Sequence, residues 1–156
     1  MTVFNLLTLE VEPVEMEGRP EGHAFSMKSI TDDVGAKLTG LSVYELPPGQ
    51  AGWPYHFELS DEEWAIVIAG EVTLRSPAGE RMLRRGDVVC FPPGPEGAHL
   101  FRNDGEETAR FAMPSTISTG ADVAVYPDSG KVKISGPGFS MRMAFGEERD
   151  YWEGEP

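Results

Sequence analysis

Apolar side chains recur at every second position along this chain or in short unbroken runs, and the spacing of an amphipathic helix is scarce. Such segments predict β-strands. They fall at 25–30, 37–46, 55–59, 64–69, 72–75, 81–83, 88–91, 99–103, 110–115, 123–126 and 131–134. Between them stand turn-forming runs: Pro47-Pro48-Gly49, Pro77-Ala78-Gly79, Arg85-Gly86-Asp87, Pro92-Pro93-Gly94-Pro95 and Asn103-Asp104-Gly105. Many short strands with regular turn signals predict an all-β sandwich or barrel. The segment from about 5 to 23 carries five glutamates and two prolines and is expected to be an extended arm. The acidic stretch 146–156 is expected to be loosely ordered. The division that follows is an N-terminal arm over 1–34, a barrel over 35–116 and a C-terminal extension over 117–156 that packs on the barrel.

One strand is apolar on both faces. Ala65, Val67 and Ala69 share a face with Glu63, whereas Trp64, Ile66 and Ile68 share the other. Both faces must then be covered. The small residues beside the carboxylate suit a cavity left open. The bulky face needs a second layer or a partner subunit, and a homodimer is the expectation.

Composition narrows the function. The chain has 156 residues, with 13 Lys and Arg against 26 Asp and Glu, a formal net charge of -13. So acidic a surface is a poor partner for nucleic acid or an anionic membrane. The single cysteine, Cys90, excludes an internal disulfide and a multi-cysteine zinc site. No apolar run reaches the ~18 residues of a membrane helix, and the first ten residues lack the basic start of a secretory signal. A cytoplasmic setting is expected.

The chemistry gathers around two histidines. His56 and Glu58 lie two apart on a strand and share a face. A hairpin after them is expected to bring Glu63 beside them from the neighbouring strand. A second hairpin, closed by 92–97, delivers His99. Imidazole nitrogen with carboxylate oxygen suits Mn, Fe, Zn, Ni or Cu. Other candidates read as ordinary residues. Glu62 has the opposite parity to Glu63 and reads as a surface charge. His23 reads as a surface histidine, and Cys90 as an inert buried thiol. Trp53, Tyr55, Phe57 and Trp64 read as packing residues, on the face opposite His56, Glu58 and Glu63.

Two runs of residues resemble the cupin family. The first holds Gly49, His56, Glu58, Glu63 and Gly70. The second holds Gly86, Pro92, Gly94, His99 and Asn103, with two residues more than the family pattern between Gly94 and His99. The resemblance implies a double-stranded β-helix, the jelly-roll barrel, with a divalent metal at its mouth. It assigns His56, Glu63 and His99 as ligands and Asn103 as a turn-stabilising residue. Glu58 stands where the family has a second histidine, which leaves it as a fourth ligand or as a base. The functions that follow are a metal-binding barrel for a small organic ligand, a metal-dependent enzyme of the dioxygenase or sugar-isomerase kind, or a metal-free binding or regulatory barrel.

Overall fold

The computed structural model describes residues 2–118 and 120–146. The expectation of a loosely ordered 146–156 therefore falls almost wholly outside the described residues. Among those described, the chain forms the strands β1 (Glu12–Pro13), β2 (Ser26–Ser29), β3 (Thr39–Leu46), β4 (Phe57–Glu58), β5 (Glu63–Ala69), β6 (Glu71–Ser76), β7 (Gly79–Arg84), β8 (Val88–Phe91), β9 (Leu100–Arg102), β10 (Ala109–Thr116), β11 (Asp122–Tyr126), β12 (Lys131–Gly136) and β13 (Phe139–Ala144). A short 3-10 turn, Pro95–Gly97, precedes β9. The fold is all-β, a jelly-roll barrel of two layers.

The first layer is a six-stranded sheet in the order β1-β2-β3-β10-β5-β8. Its strands pair antiparallel. The second layer has two parts, β13-β12-β11-β4 and β7-β6-β9. A single antiparallel bridge between His56 and His99 joins them. Across it the His99 N–H donates to the His56 carbonyl at 2.8 Å, and the His56 N–H to the His99 carbonyl at 3.2 Å. The C-terminal strands thus belong to the second layer, through the pairing of β11 with β4.

Alternation builds the core. Ala65 and Val67 of β5, Val72 and Leu74 of β6, Phe101 of β9 and Phe111 of β10 meet between the layers. Leaving water, the valine, leucine and phenylalanine side chains each contribute about 1.5–3 kcal/mol. The N-terminal arm is tied down by polar contacts. Arg110 donates to the carbonyls of Leu6 and Leu9 and pairs with Glu45. His23 departs from its reading as a surface residue. It is half-buried, with Nδ1 2.8 Å from the Gly52 carbonyl, and it bridges to Ala51. Cys90 is half-buried rather than buried, because it pairs with Trp64 on the outer face of the first layer.

Apolar residues remain on the outside. Trp64 is 40% exposed and Val88 54%. Phe139, Met141 and Met143, at alternate positions of β13, are exposed as well. No helix among the described residues is long and apolar enough to cross a membrane.

Asn103 closes the barrel at its turn. It is fully buried, and its side-chain amide donates to the carbonyls of Leu46 at 2.7 Å and Glu107 at 2.8 Å. Its Oδ1 accepts from the Gly105 N–H at 2.9 Å. Truncation leaves buried backbone groups unpaired at about 1–3 kcal/mol each. Asn103→Ala is expected to lower unfolding free energy by about 2–4 kcal/mol in urea denaturation. A loss within about 0.5 kcal/mol, the range of an ordinary surface change, would refute this role.

Candidate metal centre

His56 and His99 are directly opposite each other in the antiparallel bridge, so their side chains leave the same face of the second layer. Their ring centroids lie 4.9 Å apart. Glu63 does not come from a neighbouring strand, as the hairpin reading expects. It opens β5 in the first layer, opposite Phe91 of β8 and Ser115 of β10. The turn after β4 carries the chain across the barrel instead of back along the same sheet. Glu63 therefore reaches His99 from the opposite wall, with 3.6 Å between Oε2 and His99 Nε2. One ligand atom each from His56, Glu63 and His99 lies within 4.8 Å of the others. Glu58 joins from beside His56, its Oε1 3.7 Å from His56 Nε2. The four candidate residues are thus brought together, with the carboxyls on two different layers.

Backbone contacts orient both rings. His56 Nδ1 lies 3.0 Å from the Pro54 carbonyl, and His99 Nδ1 2.9 Å from the Gly97 carbonyl. A carbonyl only accepts, so each Nδ1 carries the proton and each Nε2 offers a lone pair. His99 Nε2 and Glu58 Oε2 are buried without a hydrogen-bond partner. Orphaned acceptors beside a carboxylate fit a cation, since such groups otherwise lose their hydration without recompense. The donor set of imidazole nitrogen and carboxylate oxygen fits a divalent transition metal.

Aromatic walls hold these donors. Phe91 stacks on the His99 ring at 3.9 Å, and Tyr126 on the His56 ring at 5.6 Å. Trp53 contradicts its parity reading. It does not lie opposite the site but meets His56 edge-on at 6.3 Å and His99 at 6.1 Å. Residues 51–56 are not a regular strand, so the period-2 rule does not apply to them. Glu62 does stay outside, accepting from the Trp64 indole N–H at 2.8 Å. Tyr126 and Asp122 were not legible as site residues. They come from β11, whose pairing with β4 no local sequence signal announces.

Burial sets the protonation. It pushes His56 down to about 4. It pushes His99 down to about 3, with His56 adding to the effect. Burial raises Glu63 to about 7, helped by the charges of Asp61 and Asp122. Glu58 rises further, chiefly from burial and then from the neighbouring Asp122. The Tyr44 hydroxyl is pushed up to about 12 by burial and by Glu63.

Residues 42–115 match the family described as Cupin domain. This chain carries a cupin domain. The cupin barrel is similar over nearly its whole length to a candidate sugar phosphate isomerase from Acidithiobacillus ferrooxidans, with 26% identity, a TM-score of 0.82 and coverage of 96% of this chain and 94% of that one. It is similar to a sugar phosphate isomerase of the cupin superfamily from Silicibacter pomeroyi, with 22% identity, a TM-score of 0.80 and 92% of each chain covered. The polyketide cyclase RemF of Streptomyces resistomycificus shares the fold at 21% identity and a TM-score of 0.61, over 76% of this chain and 80% of that one. Comparison with curated protein sequences finds no match.

The raised carboxyls determine how the metal-free cupin responds to pH. An unfolded glutamate titrates near 4.5, while Glu63 in the fold holds its proton to about 7 and Glu58 beyond that. As pH rises through this range the unfolded chain has already lost these protons, so stability falls. The histidines act oppositely, and only below their ordinary value of 6.5, where the unfolded chain takes up protons that the buried rings refuse. Chelator-treated protein is therefore expected to melt at progressively lower temperature from pH 6.5 to 8. The slope is at most about 1.4 kcal/mol per pH unit for each carboxyl. A bound divalent ion replaces those protons and flattens the decline. A metal-free profile that rises over this window would show that the carboxyls titrate normally.

Proposed function

We propose that this chain is a divalent-metal cupin that binds a small organic ligand at the barrel mouth, between Glu63 of one layer and His56, Glu58 and His99 of the other. The observation that carries the reading is the pair of Nε2 lone pairs, each held by an Nδ1–H on a backbone carbonyl, converging with the Glu63 carboxylate. When bound, the ion supplies a Lewis acid for a ligand hydroxyl or carbonyl oxygen. The chain's own part is to orient and to hold protons. Trp53, Phe91 and Tyr126 exclude water from the rings. Glu58, whose carboxyl burial holds protonated, is placed to pass a proton to or from the ligand.

A second reading makes the chain an enzyme, a metal-dependent isomerase acting on a phosphorylated sugar. The likeness to the Acidithiobacillus ferrooxidans protein favours it, as does a protonated carboxyl beside the donor set, which a binding barrel does not need. The reading retains a cytoplasmic protein, consistent with one unpaired cysteine. It also retains a homodimer, with a second copy covering the face of Trp64 and Val88. Light scattering at micromolar concentration is expected to give twice the chain mass, and a monomer there would remove the dimer.

Element analysis of protein purified without a nickel column is expected to find a divalent metal near one per chain. His99→Ala is expected to weaken metal binding at least tenfold, about 1.4 kcal/mol, by calorimetry. Glu58→His is expected to tighten Ni, Cu or Zn. Parental affinity in His99→Ala would leave a metal-free barrel.

A further inference from the structure

We propose that the inner face of the second layer continues past the candidate metal centre into a site for the phosphate group of the ligand, formed by Lys131, Lys133 and Arg142. The inference deepens the metal-cupin reading by naming the other end of its ligand, and its test does not require the metal.

Directly opposite residues of antiparallel strands share a face. Glu58 is opposite Ala124, Ala124 opposite Lys133, and Lys133 opposite Arg142. One row therefore runs Glu58, Ala124, Lys133, Arg142 across β4, β11, β12 and β13. Lys131 lies two residues from Lys133 on the same face. Its Nζ sits 5.1 Å from the centroid of the Tyr126 ring, the ring that stacks on His56. The cations are thus on the face that bears the histidines. About two strand spacings, roughly 10 Å, separate the Glu58 and Lys133 backbones. The long lysine side chain shortens that span, and only the small, buried Ala124 stands between. The Lys133 ammonium bears on the centre itself, lowering both His56 and Glu58.

Three features mark the row as a binding site instead of a solvated surface. First, Lys133 and Arg142 are like charges directly opposite on paired strands, an arrangement that costs stability. Second, among the described residues none of the three cations forms an ion pair with a carboxylate. Third, they line a cleft of about 540 Å³ whose walls include Trp53, Tyr126 and Arg19. Two acids also line it, Glu17 and Asp128. The Asp128 carboxylate is held by Arg75 through two contacts of 2.6 and 2.9 Å. Two ammonium groups and a guanidinium fork match a dianion with three acceptor oxygens, which is a phosphate monoester.

The test is calorimetric titration of inorganic phosphate into the chelator-treated full chain at constant ionic strength. Saturable binding is expected, weakened at least tenfold in Lys133→Met and in Arg142→Met. It is expected to be unchanged in Lys37→Met, a change at an exposed lysine on the loop before β3. Glycerol phosphate is expected to bind where glycerol does not. Both cleft variants are expected to melt no lower than the parent in phosphate-free buffer, because each relieves a like-charge contact. Phosphate binding that survives His99→Ala, even if metal binding proves absent, keeps the cation site and removes only the metal reading. No saturable phosphate binding by the parent, or binding indifferent to Lys133→Met and Arg142→Met, overturns the proposal whatever the metal result.

Discussion

The second layer depends on one pair of hydrogen bonds. His56 and His99 exchange their backbone N–H and carbonyl groups, and among the described residues this bridge joins the β4 part of the layer to the β9 part. Directly opposed residues in such a pair must present their side chains on the same side. The contact that closes the layer is therefore the contact that sets two imidazoles side by side. The segment before His99 serves the same end. The Gly94 N–H donates to the Glu58 carbonyl at 2.7 Å, and Gly97 passes so close to Pro92 that a Cβ there would lie 1.9 Å from its carbonyl oxygen. Only glycine lets the turn deliver His99 at this height.

Protonation follows from that enclosure. The fold takes two imidazoles and two carboxyls out of water without lending them a basic partner in direct contact. The rings respond by staying neutral, and the carboxyls by keeping their protons. Such a cluster is costly as it stands, because buried groups that lose hydration need a partner. A cation in the centre answers the carboxyls and the nitrogen lone pairs together. The positive row beyond Glu58 is the complement, a place where negative charge is missing. The face as a whole is polarised from acidic at the histidines to basic at β12 and β13.

How far residues could be read in advance depended on how local their causes were. Strand character of β3, β5, β6, β8, β10, β11 and β12 was legible, since alternation and turn residues act within a few positions. His56, Glu58, Glu63 and His99 were legible through their spacing within two runs of the chain. Trp53 was misread because parity fails in the irregular stretch before β4. The route of Glu63 was misread because a hairpin and a crossing between sheets start from the same turn residues.

The sequence by itself determined an all-β chain, a barrel with histidines and carboxyls at its mouth, and an acidic surface. The all-β character rests on side-chain periodicity and the acidity on counted charge, which need no knowledge of distant neighbours, while the barrel and the histidines and carboxyls at its mouth rest on the two runs that resemble the cupin pattern. Only the tertiary structure decided that Asp122 and Tyr126 reach the same site, or that Lys131, Lys133 and Arg142 extend its face. Those placements depend on the pairing of β11 with β4, about 65 residues apart in the chain. Strand order across a sheet is a global choice, made by which hydrogen-bonding edges remain free once the rest of the barrel has closed.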